Sequence, residues 1–301
     1  MSLHDGPGIR TTIFLKGCNL RCFWCHNPES ARSDNDLQYF AQRCIGCGLC
    51  KEACPHQLHH FTPAHQIDRE QCMRCGLCAE ACPAQALVYV GRSVSVEEIL
   101  PELLRDMPFY RNTGGGVTLS GGEPLLQPAF ASELLKALKE NGVNTLIETA
   151  LHLPWENIEQ VIPWTDHFYV DFKHPDDEMH KKVTGVSNKR ILENLQRLDK
   201  TGCAYTVRIP TIPGVNDSED TFRAIDRALQ GLSSLKEVEL MPYHAFGVGK
   251  YESLGMDTET FRTMQPPSVE RLTELAACIR CVPVSFRDGG KQVRFLKGES
   301  V

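Results

Sequence analysis

Apolar and polar positions along this chain alternate between two rhythms. Residues 9–15 are β-branched and apolar, the pattern of a strand. Short apolar runs of the same kind recur at residues 116–120, 145–149, 167–172, 205–209 and 237–241. Between them, residues 128–141, 154–162, 188–201, 218–230 and 268–279 carry apolar side chains at helical spacing. Strands and helices that alternate in this way predict parallel strands joined by crossover helices. The expected fold is therefore α/β, an incomplete (β/α)6 TIM-like barrel, open rather than closed. In such barrels the chemistry gathers at the C-terminal ends of the strands.

Residues 39–92 interrupt this rhythm with an internal repeat. Cys44-Ile-Gly-Cys47-Gly-Leu-Cys50-Lys-Glu-Ala-Cys54-Pro55 matches Cys72-Met-Arg-Cys75-Gly-Leu-Cys78-Ala-Glu-Ala-Cys82-Pro83, at an offset of 72 − 44 = 28 residues. Residues 1–38 and 93–301 are expected to form the barrel, and residues 39–92 a small α+β insert.

Composition narrows the function. The 301 residues suit one large domain with a small insert, and 42% hydrophobic residues suffice for a sizeable core. A net charge of −6 without a basic run argues against nucleic acid. No stretch is long and apolar enough to span a membrane, and the N-terminus is too polar for a signal peptide. A cytoplasmic protein is expected. Eleven of the fourteen cysteines lie between Cys18 and Cys82. In a reducing compartment such density points to metal rather than disulfides.

The first group, Cys18, Cys22 and Cys25, has C-x3-C-x2-C spacing after the first strand. Each of the four irons of a cubane cluster wants a terminal ligand, and protein clusters usually receive four thiolates. Three cysteines leave one iron open to a substrate. A zinc site closed by His26 is the alternative. The repeat carries C-x2-C-x2-C-x3-C-P twice, the bacterial ferredoxin spacing, in which each fourth cysteine ligates the other run's cluster. Cys44, Cys47, Cys50 and Cys82 are expected on one [4Fe–4S] cluster, and Cys72, Cys75, Cys78 and Cys54 on the other. They would deliver electrons to the first cluster, or serve structure alone.

Asp5-Gly-Pro-Gly-Ile-Arg10, followed by Phe14-Leu-Lys-Gly-Cys18-Asn-Leu-Arg-Cys22-Phe-Trp-Cys25-His26-Asn-Pro, resembles the activating enzymes of glycyl radical enzymes, in the radical S-adenosylmethionine (SAM) superfamily. The likeness continues to Tyr243-His244. It implies that SAM binds the open iron through its amino and carboxylate groups. An electron then breaks a carbon–sulfur bond, giving methionine and a 5′-deoxyadenosyl radical that takes hydrogen from a glycine of a partner glycyl radical enzyme. The cofactors carry the hard chemistry. The alternative is a radical SAM enzyme acting on a small molecule. Three [4Fe–4S] clusters, SAM, a flavodoxin or ferredoxin-type electron donor and a monomeric chain complete the expectation.

The resemblance also assigns site residues. In Ser120-Gly-Gly-Glu-Pro124, Gly121, Gly122 and Glu123 would contact the methionine amino group. Asp171, Phe172 and Lys173 would lie against SAM, Arg208 would face its carboxylate, and His244 would sit near the adenosine. Trp24 and His26 would touch the adenine side through their backbone. Two features depart from the family. Glu148-Thr149 stands where the family has Asp-Thr, which puts monovalent-cation binding in doubt. The chain also begins close to Asp5, which suggests a misassigned start and a less covered sheet edge.

Other features are expected to be structural. Cys278, Cys281 and Cys203 read as buried thiols. His56, His59, His60 and His65 read as a solvated loop, and Asp176-Asp177-Glu178 as a helix start.

Overall fold

The computed structural model describes residues 2–288 and 291–296. Its main sheet has eight strands, and their spatial order follows the chain. Arg10–Leu15 lies at one edge beside Gly116–Gly121, followed by Asn144–Thr149, His167–Asp171, Tyr205–Thr211 and Leu235–Pro242. These six are parallel, as the apolar rhythm predicts. Val284–Asp288 adds a seventh parallel strand, and Lys291–Phe295 pairs with it antiparallel. The six-strand expectation thus falls short by two. Both missed strands are short and rich in charged residues, and the signal for them was the Gly289-Gly290 pair between two alternating runs.

The central strands are covered on both faces, which explains their continuous apolar runs. Val117, Leu119, Ile147, Phe168, Val207 and Leu240 are all 0% exposed. The crossover helices pack their apolar faces on this layer, as Leu134, Leu135 and Leu138 do from Pro128–Glu140. The helix expected at 154–162 is broken. Trp155–Glu159 stops short, and Pro163 starts the tighter turn Ile162–Trp164. Two helices were not anticipated before the second strand, Val96–Leu104 and Met107–Thr113. Ser95 and Glu98 form a reciprocal cap at the first of them. Asp176 caps Asp177–Thr184 by accepting from Met179 N, which makes the acidic run the helix start its sequence suggests.

The insert is bracketed by an antiparallel pair, Asp36–Tyr39 with Leu87–Val90. Its repeat is also structural. The helices Leu49–Ala53 and Leu77–Glu80 each follow a glycine in the left-handed region, Gly48 and Gly76. Arg69 ties the insert to the barrel by donating to the Leu37 carbonyl at 2.8 Å and the Ser253 carbonyl at 2.7 Å.

One buried side chain fixes the C-terminal ends of two adjacent strands. Asn216 is 0% exposed. It accepts from Ile212 N at 2.8 Å and donates to the Pro210 carbonyl at 2.7 Å and the Lys173 carbonyl at 3.0 Å. Asn216→Leu strands all three backbone groups in a dry interior. It should destabilise the protein by roughly 2–4 kcal/mol in urea unfolding. A loss under about 0.5 kcal/mol would show that this clamp does not matter.

Candidate active site

The loop after the first strand carries Cys18, Cys22 and Cys25, and its backbone is laced to its surroundings. Gly17 N donates to the Ser30 carbonyl at 2.8 Å and Cys18 N to the Ala31 carbonyl at 3.1 Å. Arg21 N and Phe23 N donate to the carbonyls of Thr184 and Val183, at the end of Asp177–Thr184. The glycine turn after the second strand closes the other side. Gly122 N reaches the Leu15 carbonyl at 2.9 Å, and Glu123 N the Gly17 carbonyl at 2.7 Å. A Cβ on Gly122 would stand 2.2 Å from the Gly17 oxygen, so only glycine permits this approach. Lys250 clamps the loop's far end by donating to Asn27 Oδ1 at 2.8 Å and Glu29 Oε1 at 2.6 Å.

All three thiols are partly covered. Burial pushes the Cys18 thiol up to about 11 and the Cys22 thiol up to about 12, and raises that of Cys25. Metal binding here must release these protons. Around the thiols stand Glu123, Asp171 and Lys173. Lys173 Nζ donates to Asp171 Oδ2 at 2.7 Å. Burial opposes the Lys173 charge, but Asp171 and the neighbouring cysteines outweigh it and hold its pKa above the ordinary range. Glu123 is 1% exposed. Its carboxylate accepts from Thr149 Oγ1, Ala150 N and Leu125 N. Burial still dominates and pushes its pKa up to about 7.

Aromatic residues form one flank. Trp24 is buried among Val183, Ile212, Tyr243 and Tyr251. The His26 ring lies 4.2 Å from that of His244, and His244 lies 4.5 Å from the exposed Phe246. Burial, with His244 and Lys173 nearby, lowers the His26 pKa to about 4. His26 Nε2, His244 Nδ1 and the Tyr243 hydroxyl are buried without a hydrogen-bond partner. Such atoms are rare in finished interiors and mark a site built to receive polar groups.

Two assigned residues, Phe172 and Arg208, sit in packed or ion-paired surroundings, and so does the Glu148-Thr149 pair. The Phe172 side chain is 2% exposed and belongs to the hydrophobic core, because strand alternation turns it away from Asp171 and Lys173. Arg208 lies beneath the site in a buried ion cluster. It donates to Glu148 Oε1 at 2.5 Å, Glu239 Oε2 at 2.8 Å and the His4 carbonyl at 2.8 Å. The Tyr169 ring lies 3.6 Å from its guanidinium carbon. Glu148 also accepts from Ser120, so the Glu148-Thr149 pair is occupied by Arg208, Ser120 and Glu123.

In the insert, two hollows are each lined by four cysteines. Cys44, Cys47, Cys50 and Cys82 face one, and Cys54, Cys72, Cys75 and Cys78 the other. His56 and His60 of the histidine segment between them are exposed, as a solvated loop requires, but the other two are not. His59 is 2% exposed and His65 half-buried, because Phe61, Tyr39 and the cysteine loops fold over them. Cys203, Cys278 and Cys281 are half-buried against the main core.

The glycine-laced loop with three converging thiols is matched by a family model. The description "Radical SAM superfamily" fits residues 12–225. The chain belongs to the radical SAM superfamily. Within it, the chain is 42% identical over 265 residues to the (2S)-3-sulfopropanediol dehydratase activating enzyme of Klebsiella oxytoca, covering 85% of this chain and 83% of that one. It is 41% identical to the choline trimethylamine-lyase activating enzyme of Oleidesulfovibrio alaskensis, covering 93% and 92%. It is likewise 41% identical to the benzylsuccinate synthase activating enzyme of Thauera aromatica, covering 96% and 90%. Among solved structures, Streptococcus suis SuiB bound to precursor peptide SuiA superposes with a TM-score of 0.51 at 12% identity, covering 90% of this chain and 51% of that one. That likeness shows the fold alone. The chain is thus a radical SAM activase of glycyl radical enzymes, and the small-molecule alternative is not favoured. Among the described residues, no helix is long and apolar enough to cross a membrane.

The ion cluster under the site gives a stability test. Replacing Arg208 with leucine leaves the buried Glu148 carboxylate without its cation and Glu239 with only Arg287, at 3.8 Å. Arg208→Leu should cost roughly 3–5 kcal/mol in chemical denaturation near neutral pH. An unchanged midpoint would mean that the two carboxylates do not need this partner.

Proposed function

We propose that this radical SAM activase holds three [4Fe–4S] clusters and binds SAM at the one held by Cys18, Cys22 and Cys25. The observation that carries this is the donor set: three thiols in one laced loop, beside two separate groups of four. Four soft thiolates match a closed cluster, and three leave one corner for a ligand. When bound, this cluster and SAM supply the electron and the 5′-deoxyadenosyl radical. The residues around them bind and orient.

In this reading Glu123 and the Gly121-Gly122 backbone receive the N–H groups of the SAM amino nitrogen. Asp171 and Lys173 hold the cofactor's polar end beside the thiolates, with Phe172 contributing backbone alone. His26, His244 and Trp24 line the adenosine side, where the unpartnered nitrogens of the two histidines accept or donate. Arg208 acts one layer down by fixing Glu148 rather than by touching SAM. The Cys44 and Cys72 groups pass electrons inward from a flavodoxin or ferredoxin-type donor. The partner is a glycyl radical enzyme that offers a glycine-bearing loop to the site.

Iron counting tests the assignment. Anaerobically reconstituted protein should bind about twelve irons, and Cys22→Ala should remove about four of them along with SAM cleavage. Unchanged iron in that variant contradicts the reading. Glu123 adds a pH test. Its free carboxyl ionises only near pH 7, and the N–H donors of a bound amino group favour the ionised form. SAM affinity, followed by equilibrium dialysis, should therefore weaken up to roughly tenfold per unit as pH falls below about 7. Glu123→Gln should bind SAM more weakly and flatten this dependence. An identical pH profile in that variant removes Glu123 from the amino-group site.

A further inference from the structure

The 28-residue repeat relates the walls of the insert's two hollows position by position, and the symmetry breaks at two histidines. Ala84, Ala86 and Leu87 of the first hollow correspond to His56, Leu58 and His59 of the second. His59 thus stands where the other half has leucine. The first hollow gains two residues without counterpart in the second, Phe61 and His65.

The two imidazoles meet between the hollows. His59 Nδ1 lies 2.9 Å from His65 Nε2. His65 Nδ1 lies 3.5 Å from Cys44 Sγ, and its Nε2 lies 3.7 Å from Cys50 Sγ. Phe61 stacks flat on the His65 ring at 4.5 Å, and Tyr39 meets it edge-on at 4.6 Å. The ring is therefore locked facing the first hollow. A metal-bound thiolate can only accept a hydrogen bond. The tautomer that satisfies the two shorter contacts has a hydrogen on His65 Nδ1, toward Cys44 at 3.5 Å, and a lone pair on Nε2 that accepts from His59 Nδ1–H at 2.9 Å, leaving Cys50 Sγ at 3.7 Å without a bond from this ring.

We propose that His65 donates an N–H···S hydrogen bond to Cys44, oriented by His59, and so raises the reduction potential of the cluster in the first hollow. The inference rests on the reading that both hollows hold clusters. Its physical basis is charge. Reduction adds an electron to the cluster and its sulfurs, and a fixed donor stabilises the reduced form more than the oxidised one. The second hollow has no side chain equivalent to His65, and its Cys54 and Cys72 accept instead from the backbone N–H groups of Leu58 and Arg74 at 3.5 and 3.4 Å. His65 thereby tunes the first cluster separately from its twin. His65 is a positioning residue for the electron relay, not a ligand. Cys50, His59 and His65 have ligand atoms within 4.8 Å of one another and could hold a single ion. Cys50 is already one of the four thiols of the first hollow, which speaks against that use.

The test is a potentiometric EPR titration of the reconstituted full-length protein with parallel iron and zinc analysis. Wild type should show about twelve irons and no zinc. His65→Phe should keep that iron and shift one cluster's midpoint potential downward, leaving the others in place. His65→Gln retains an N–H donor and should recover most of the shift. His59→Leu, which restores the repeat's other residue, should shift the same cluster less and in the same direction. Unchanged potentials at full iron overturn the proposal. So does loss of iron in His65→Phe, which makes His65 a ligand, or zinc in wild type. If His65→Phe does not fold, the contrast between His65→Gln and His59→Leu decides, and equal potentials in both count against it. Fewer than about twelve irons in wild type defeats the cluster reading itself, and the tuning with it.

Discussion

The site depends on a backbone-to-backbone seam between two loops that are distant in sequence. Gly122 N and Glu123 N donate to the carbonyls of Leu15 and Gly17, and Gly17 N returns a bond to Ser30. A side chain at position 122 would meet the oxygens of both Gly17 and Ser30, at 2.2 and 2.6 Å. The seam holds the cysteine loop at the open ends of the first two strands without using any of its thiols. The sulfurs are left free to converge, and Glu123 is carried into the same space by the peptide that makes the seam. Asp177–Thr184 and Lys250 then fix the loop's other edges.

Within that frame the charges are arranged in two layers. The upper layer places Lys173 and Asp171 beside the thiols, with Glu123 poised near pH 7. The lower layer balances Arg208 against Glu148 and Glu239 and carries no free group. Removing the lower cation should destabilise the protein, whereas changing the upper acid should alter ligand binding. The geometry thus separates stability from chemistry, although both ion groups rise from neighbouring strands.

Much of this was legible in the sequence, because its carriers are local. Each parallel strand announces itself by an apolar run, and the superfamily by three cysteines and a Gly-Gly-Glu turn, all within short segments. What was not legible depends on contacts across the fold. Asn216 looks like any loop asparagine until the ends of two strands arrive beside it. Arg208 reads as a strand-end cation until Glu239 is seen on the next strand at 2.8 Å. Phe172 was swept up with its charged neighbours, although alternation alone turns it inward. His59 and His65 looked like solvated loop, since nothing local shows that Phe61 and Tyr39 close over them.

This seam builds a site that passes a radical to a glycine of another protein. The direct measurement is EPR of a candidate glycyl radical enzyme after anaerobic incubation with the reconstituted protein, SAM and dithionite. A stable organic radical should appear on the partner's backbone, formed with 5′-deoxyadenosine and absent when Cys22→Ala replaces wild type. Accumulation of 5′-deoxyadenosine with every candidate partner left diamagnetic would contradict it.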